Sequence, residues 1–159
     1  MNRSAGILLP ISSLPSKYGI GSFSKSAYDF VDWLKEAGQS YWQILPLVPT
    51  SFGDSPYQSF STYAGNPYFI DLDALVEEGV LTQEEVDAVD FGDKADSVDY
   101  EKLYHGRFPL LRKAYERSNI SENKDYVRYM EENGWWLKDY ALFMAVKSRF
   151  DGAAWTQWA

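Results

Sequence analysis

The chain of 159 residues is long enough for one ordinary domain, and its 45% hydrophobic and 24% charged residues are globular rather than disordered proportions. Its 15 Lys and Arg against 23 Asp and Glu leave a net charge of −8, which argues against a nucleic-acid partner because no basic surplus exists to neutralise phosphates. With no Cys, disulfides, thiolate metal sites and a Cys nucleophile are all removed. Aromatic side chains are abundant, with 12 Tyr, 9 Phe and 6 Trp. Their flat apolar faces and polar tips suit either a ring-rich core or a hydroxylated ligand.

The first apolar run, Ala5–Leu9, meets Pro10 and is too short for a signal core. Ile7-Leu8-Leu9 has the pattern of a strand buried on both faces. Residues 12–21, with Pro15 and the pair Gly19/Gly21, read as a loop. Ser26-x-x-Asp29 resembles a capping box, and Ala27, Phe30, Val31, Leu34 and Ala37 follow at helical spacing up to the stop signal Gly38. Residues 41–45 form a second strand that Pro46 ends. Strand, helix and strand with short joints predict a βαβ unit, hence a parallel pair.

Residues 50–66 carry no helical or strand period. Connections this long inside compact domains are usually functional or disordered. Disorder is disfavoured by Phe52, Tyr57, Phe60 and Tyr63, and the segment follows the C-terminal end of a parallel strand, where α/β sheets and barrels place ligand sites. Residues 68–72 resume as a strand-like or packing segment.

Beyond a composition shift near Asp73 the chain becomes helical. Thr82-x-x-Glu85 is a second capping-box signature. Residues 99–117 carry Leu103, Leu110, Leu111 and Tyr115, with Pro109 either kinking one helix or opening another. Residues 124–133 are predicted helical and ended by Gly134. Residues 135–150 form a further helix, apolar on most faces and so expected to be buried. Its run Trp135–Val146 is broken by Lys138 and Asp139, short of the roughly 20 residues that span a bilayer. No membrane partner and a cytoplasmic location are expected.

Catalytic signals are sparse. His105 is the only histidine, and a lone helical His is ordinarily a surface or packing residue. No HExxH, GxSxG or P-loop pattern exists, and Gly19/Gly21 lack the third glycine of a dinucleotide fingerprint. Glu77, Glu78, Glu84, Glu85, Glu131 and Glu132 read as solvated helix faces. The long loop holds one carboxylate, Asp54, either a turn former or a hydrogen-bonding group for a polar ligand. Beside it Ser55, Tyr57, Gln58 and Ser59 offer hydroxyls, an amide and a ring without charge. That set suits the alternating hydroxyls and C–H faces of a sugar better than a phosphate or a metal.

Several blocks then acquire a family likeness: residues 3–9, Ser13-Leu14-Pro15, Tyr18–Gly21, residues 37–47, and above all Gly53-Asp54-Ser55-Pro56-Tyr57-Gln58-Ser59-Phe60-Ser61 with Ala64–Tyr68. Together they resemble the N-terminal part of the 4-α-glucanotransferases, the amylomaltase or disproportionating-enzyme family. Val48 departs from the glycine common after Leu-Pro-Leu. The resemblance implies a (β/α)8 TIM barrel, with residues 1–75 opening it and residues 76–159 forming a mainly helical insertion subdomain. It implies transfer of α-1,4-glucan segments between maltooligosaccharides by a retaining double displacement. The catalytic carboxylates of that family lie on later strands and match no position here, so the catalytic residues are none in this chain and the segment alone is expected to be inactive. What carries over is substrate contact by Ser55, Tyr57 and Gln58, with Asp54 and Pro56 shaping the loop. No cofactor or metal is implied, and the remainder of the enzyme chain is the implied partner. A non-catalytic carbohydrate-binding or helical interaction module is the alternative that the aromatic excess permits.

Overall fold

The computed structural model describes residues 3–51, 53–94 and 96–158. They form two compact units, Met1–Phe60 with Gly65–Ser118, and Ser61–Ala64 with Asn119–Ala159. The residues that follow the composition shift at Asp73, as far as Ser118, are members of the first unit.

In the first unit β1 (Gly6–Leu8) pairs in parallel with β2 (Tyr41–Gln43), in the register Gly6↔Tyr41 and Leu8↔Gln43, with α1 (Lys25–Glu36) between them in sequence. This is the predicted βαβ unit. Gly6 is required by the pairing, because a Cβ there would lie 2.5 Å from the Tyr41 carbonyl oxygen. Burial of the first strand on both faces is not found: Gly6 and Leu8 are exposed and Ile7 is half-buried. A two-stranded sheet is all edge, so strands with a buried pattern stay open unless further elements cover them.

The helix α1 starts one residue before Ser26, which puts Asp29 inside the helix. There its carboxylate meets Lys25 Nζ at 2.6 Å, an (i, i+4) pair, and the predicted Ser26/Asp29 capping box is not formed. Its C-terminus obeys the sequence. Gly38 takes φ +68°, and Gly38 N and Gln39 N donate to the carbonyls of Lys35 and Leu34 at 3.1 and 2.9 Å, a Schellman close.

The main core lies where the 18–20 segment, α2 (Leu72–Glu77), α3 (Gln83–Asp87) and α4 (Tyr100–Arg117) converge. Leu72, Val86 and Leu103 are wholly buried there. Residues 68–72 prove to be a packing segment: a 3-10 turn at Pro67–Phe69 is capped by the Asn66 side chain, and Asp71 caps α2. The Thr82/Glu85 capping box forms, with Thr82 Oγ1 accepting from Glu85 N at 3.2 Å and Glu85 Oε2 accepting from Thr82 N at 3.1 Å. Glu85 is more than a solvated face. It receives Arg117 through two bonds of 2.7 and 2.8 Å and Lys113 at 3.0 Å, tying α3 to α4. Arg117 first, then Lys113, hold its carboxyl well below the usual carboxylate range. One continuous α4 passes through Pro109.

The second unit is organised by α5 (Lys124–Arg149), a single helix where the sequence suggested two. Gly134 sits in its interior. A helical glycine costs only about 1 kcal/mol relative to alanine, less than fraying a whole turn. Nor is the apolar second half buried, for no residue of α5 is. Within this unit α5 meets the turn Ile120–Glu122, the segment 61–64 and the C-terminal turn around Trp158, whose ring lies 5.4 Å from Phe143 and 6.0 Å from Phe150. These are too short to cover a 26-residue helix. Among the described residues no helix is long and apolar enough to cross a membrane.

Candidate functional site

The chain leaves β2 through Pro46 and the buried Pro49 into the 50–66 loop. Residues 51–58 close on themselves: Ser51 N donates to the Gln58 carbonyl at 3.1 Å, Asp54 N to Ser51 at 3.0 Å and Gln58 N to Ser55 at 3.1 Å. The last is a β-turn with Pro56 in its second position, where a fixed φ is pre-set for the bend. Asp54 adopts φ +55°, a left-handed conformation that Asp tolerates better than most residues because its short side chain bonds locally. The base of the loop is clamped as Asn66 N donates to the Leu47 carbonyl at 2.8 Å while buried Asn66 Oδ1 accepts from Tyr68 N at 3.0 Å. Phe52 lies outside the described residues.

All five sequence-predicted residues therefore sit on one closed loop, with different roles open to them. Tyr57 is 72% exposed and Gln58 is exposed, so ring and amide both face solvent. The Ser55 hydroxyl is engaged at home, accepting from Tyr57 N at 3.3 Å. Pro56 is half-buried in the turn. Asp54 borders a cavity of about 320 Å3 whose far wall is residues 92–94 and 97–101. Burial, then the Asp54 charge, push the Tyr68 phenol up to about 12 and raise that of Tyr100. This loop can present an aromatic face, an amide and a carboxylate to a polar, uncharged ligand. His105 is exposed on α4, edge-on to the Tyr104 ring at 5.4 Å. Among the described residues no cluster of three His, Cys, Asp or Glu side chains could hold a metal ion.

Sequence reasoning missed Arg107. It is 1% exposed, donates from Nη2 to the Ile70 carbonyl at 2.5 Å, and leaves Nε and Nη1 without a hydrogen-bond partner among the described residues. Burial pulls its guanidinium down to about 10, partly offset by Asp71. Its spacing was the available signal: Leu103, Arg107, Leu110 and Ala114 form one helical stripe, and all four are buried. Also missed was the junction at Asp73, whose carboxylate accepts from the Tyr18 hydroxyl and pairs with Lys17 at 3.1 Å. Burial works against that charge, but the Tyr18 and Lys17 bonds outweigh it and hold the carboxyl below its ordinary value.

A family model described as 4-alpha-glucanotransferase matches residues 9–159. The 4-alpha-glucanotransferase of Streptococcus pneumoniae TIGR4 is 55% identical over 157 residues, covering 98% of this chain and 31% of the relative. That of Thermus thermophilus is 46% identical over 160 residues, with the same coverage on both sides. Among solved structures, amylomaltase from Streptococcus agalactiae in complex with acarbose superposes with a TM-score of 0.90 at 43% identity, over 99% of this chain and 32% of that one. The chain therefore spans about a third of the length of the relatives it matches.

Proposed function

The chain belongs to the 4-alpha-glucanotransferase family, and from that premise we propose that it is the N-terminal third of an enzyme transferring α-1,4-glucan segments between maltooligosaccharides. In this reading residues 1–75 open a (β/α)8 barrel and residues 76–159 supply a mainly helical insertion subdomain, in a cytoplasmic protein. The reaction is a retaining double displacement. One carboxylate displaces the leaving glucan to form a glycosyl-enzyme, another protonates the departing oxygen, and a sugar hydroxyl then takes the place of water as acceptor. Both carboxylates belong to the remainder of the chain.

The part played here is binding. The observation that carries it is the 51–58 ring: its backbone bonds hold Tyr57 and Gln58 outward at the end of β2, in the block of sequence most like the family. A tyrosine ring covers the C–H face of a glucose unit, while the Gln58 amide and the Ser55 hydroxyl reach sugar hydroxyls. Asp54 and Pro56 set the bend, so that little loop entropy is lost on binding. The acarbose complex of the streptococcal amylomaltase supports a ligand of this chemistry. In the full-length chain, Tyr57→Ala should raise KM for maltotriose about tenfold, as the loss of one ring contact does, with Tm unchanged because the ring is solvent-facing. Unaltered transfer kinetics would remove Tyr57, and the reading with it.

A further inference from the structure

One charged side chain is sealed inside the first unit, beside the turn that follows the 50–66 loop. Arg107, on α4, is 1% exposed, and a buried cation is expensive unless its donors are paired. Of its guanidinium nitrogens only Nη2 is engaged, by the Ile70 carbonyl at 2.5 Å, while Nε and Nη1 have no hydrogen-bond partner among the described residues. The carboxylate whose charge reaches it, Asp71, is used elsewhere: Asp71 Oδ1 accepts from Asp73 N at 3.2 Å and caps α2. The carbonyl that Arg107 holds ends a turn on which several segments meet. Asn66 N donates to the Leu47 carbonyl at the exit of β2, and Asn66 Oδ1 accepts from Tyr68 N. Phe69 N and Ile70 N donate back to the carbonyls of Asn66 and Pro67 at 3.0 and 3.3 Å. Phe23 N, from the segment that follows β1, donates to the Phe69 carbonyl at 3.1 Å.

The geometry points to Arg107 as a positioning residue for the substrate loop, locking the 66–70 turn from behind and so fixing the foot of the loop where Asn66 meets Leu47. The inference rests on the assignment of Tyr57 and Gln58 as substrate contacts. Every part of this chain of bonds, from Arg107 through Ile70, Asn66 and Leu47 to the 51–58 ring, lies in one compact unit. A methionine at position 107 would complete the stripe of Leu103, Leu110 and Ala114 without bare donors, so packing alone gives no reason for a guanidinium there. What the guanidinium adds is a fixed carbonyl at the far end of the turn. A turn bonded less firmly at that end can swing about Asn66 and carry the foot of the loop with it, and ordering it in advance removes that freedom before the ligand arrives. Binding is then tighter without a new contact to the sugar, so the effect belongs in KM rather than in the chemical step.

The test uses the full-length chain with three readouts: maltotriose transfer kinetics, the thermal midpoint and the rate of chymotryptic cutting after Tyr57. Arg107→Met keeps the bulk and removes the donor. It should raise KM about three- to tenfold, part of what one hydrogen bond to a charged group is worth, with kcat within about twofold. It should also speed cutting after Tyr57, and its Tm should be no lower than the parent's, because the bare buried nitrogens leave with the charge. Arg107→Lys, whose ammonium can donate to the same carbonyl, should recover most of the KM and of the resistance to cutting. Unchanged KM in Arg107→Met overturns the positioning role. A Tm that falls as KM rises overturns it too, since the guanidinium would then be holding the fold and not the loop. Arg107→Lys as poor as Arg107→Met overturns the bond to Ile70 as its means. Tyr57→Ala serves as the separate control. If it leaves kinetics untouched, the substrate-loop assignment fails, while faster cutting in Arg107→Met still upholds the lock.

Discussion

The helices α4 and α5 look alike in sequence and fare differently in the fold. Both are long, aromatic and interrupted by a residue that helices disfavour, Pro109 in one and Gly134 in the other. Both run through the interruption. Yet α4 buries Leu103, Arg107, Leu110 and Ala114 beneath α2, α3 and the 18–20 segment, while α5 buries nothing. Local signals determine that a helix forms. Whether its apolar face is covered depends on what else the chain brings to it, which no periodicity encodes.

The largest test of that contrast is truncation of one leucine on each helix in the 159-residue chain. Leu103→Ala removes a wholly buried side chain and should cost about 3 kcal/mol, read as a fall in the urea midpoint. Leu142→Ala, at a position 64% exposed, should cost less than about 0.5 kcal/mol. The comparison sharpens if both are repeated in the full-length chain. A cost at Leu142 approaching that at Leu103 there would show that the rest of the protein covers α5.

Next in size is the contact that locks α3 onto α4. Glu85 is held below its ordinary value of 4.5 by Arg117 and Lys113, so the folded state keeps the charged form more strongly than the unfolded chain does. Its contribution is complete above that ordinary value and drains away as the pH falls through the lower folded one. Glu85→Gln keeps the capping geometry and removes the charge. The variant should therefore unfold at a lower temperature than the parent near pH 7, and the gap should close progressively below about pH 4.5. A gap independent of pH would assign the effect to packing alone. On α5 the Arg128–Asp125 pair is instead exposed and screened.

What was legible in the sequence follows the same division. The βαβ unit, the Gly38 stop and the Thr82 cap were readable because each depends on residues within a few positions of one another. So was the loop after β2, since a long aromatic segment with no period is neither helix nor strand; that it contacts substrate is the proposal drawn from it. Arg107 was hidden because a charged residue on a buried stripe contradicts the usual inference from charge to exposure, and only its spacing of four from Leu103 gave it away. The tie from Tyr63 to Trp135 and Trp136 was hidden for another reason: it joins positions about seventy apart, and no local rule links them.

The smallest effect separates two capping signatures that read alike and fold differently. Thr82 and Glu85 exchange both hydrogen bonds, and Thr82→Ala removes the one that caps Glu85 N, orphaning that amide at the start of α3, which should cost about 1 kcal/mol. Ser26 lies inside α1, its hydroxyl 2.9 Å from that of Ser24, and Ser24 at the N-cap makes no side-chain bond to the helix amides. With Asp29 already committed to Lys25, Ser26→Ala removes no cap and should change stability by less than about 0.5 kcal/mol. Thermal scans of the two variants side by side decide it. Equal losses would mean that α1 frays in solution to begin at Ser26 and uses the cap its sequence advertises, with Asp29 releasing Lys25 to do so.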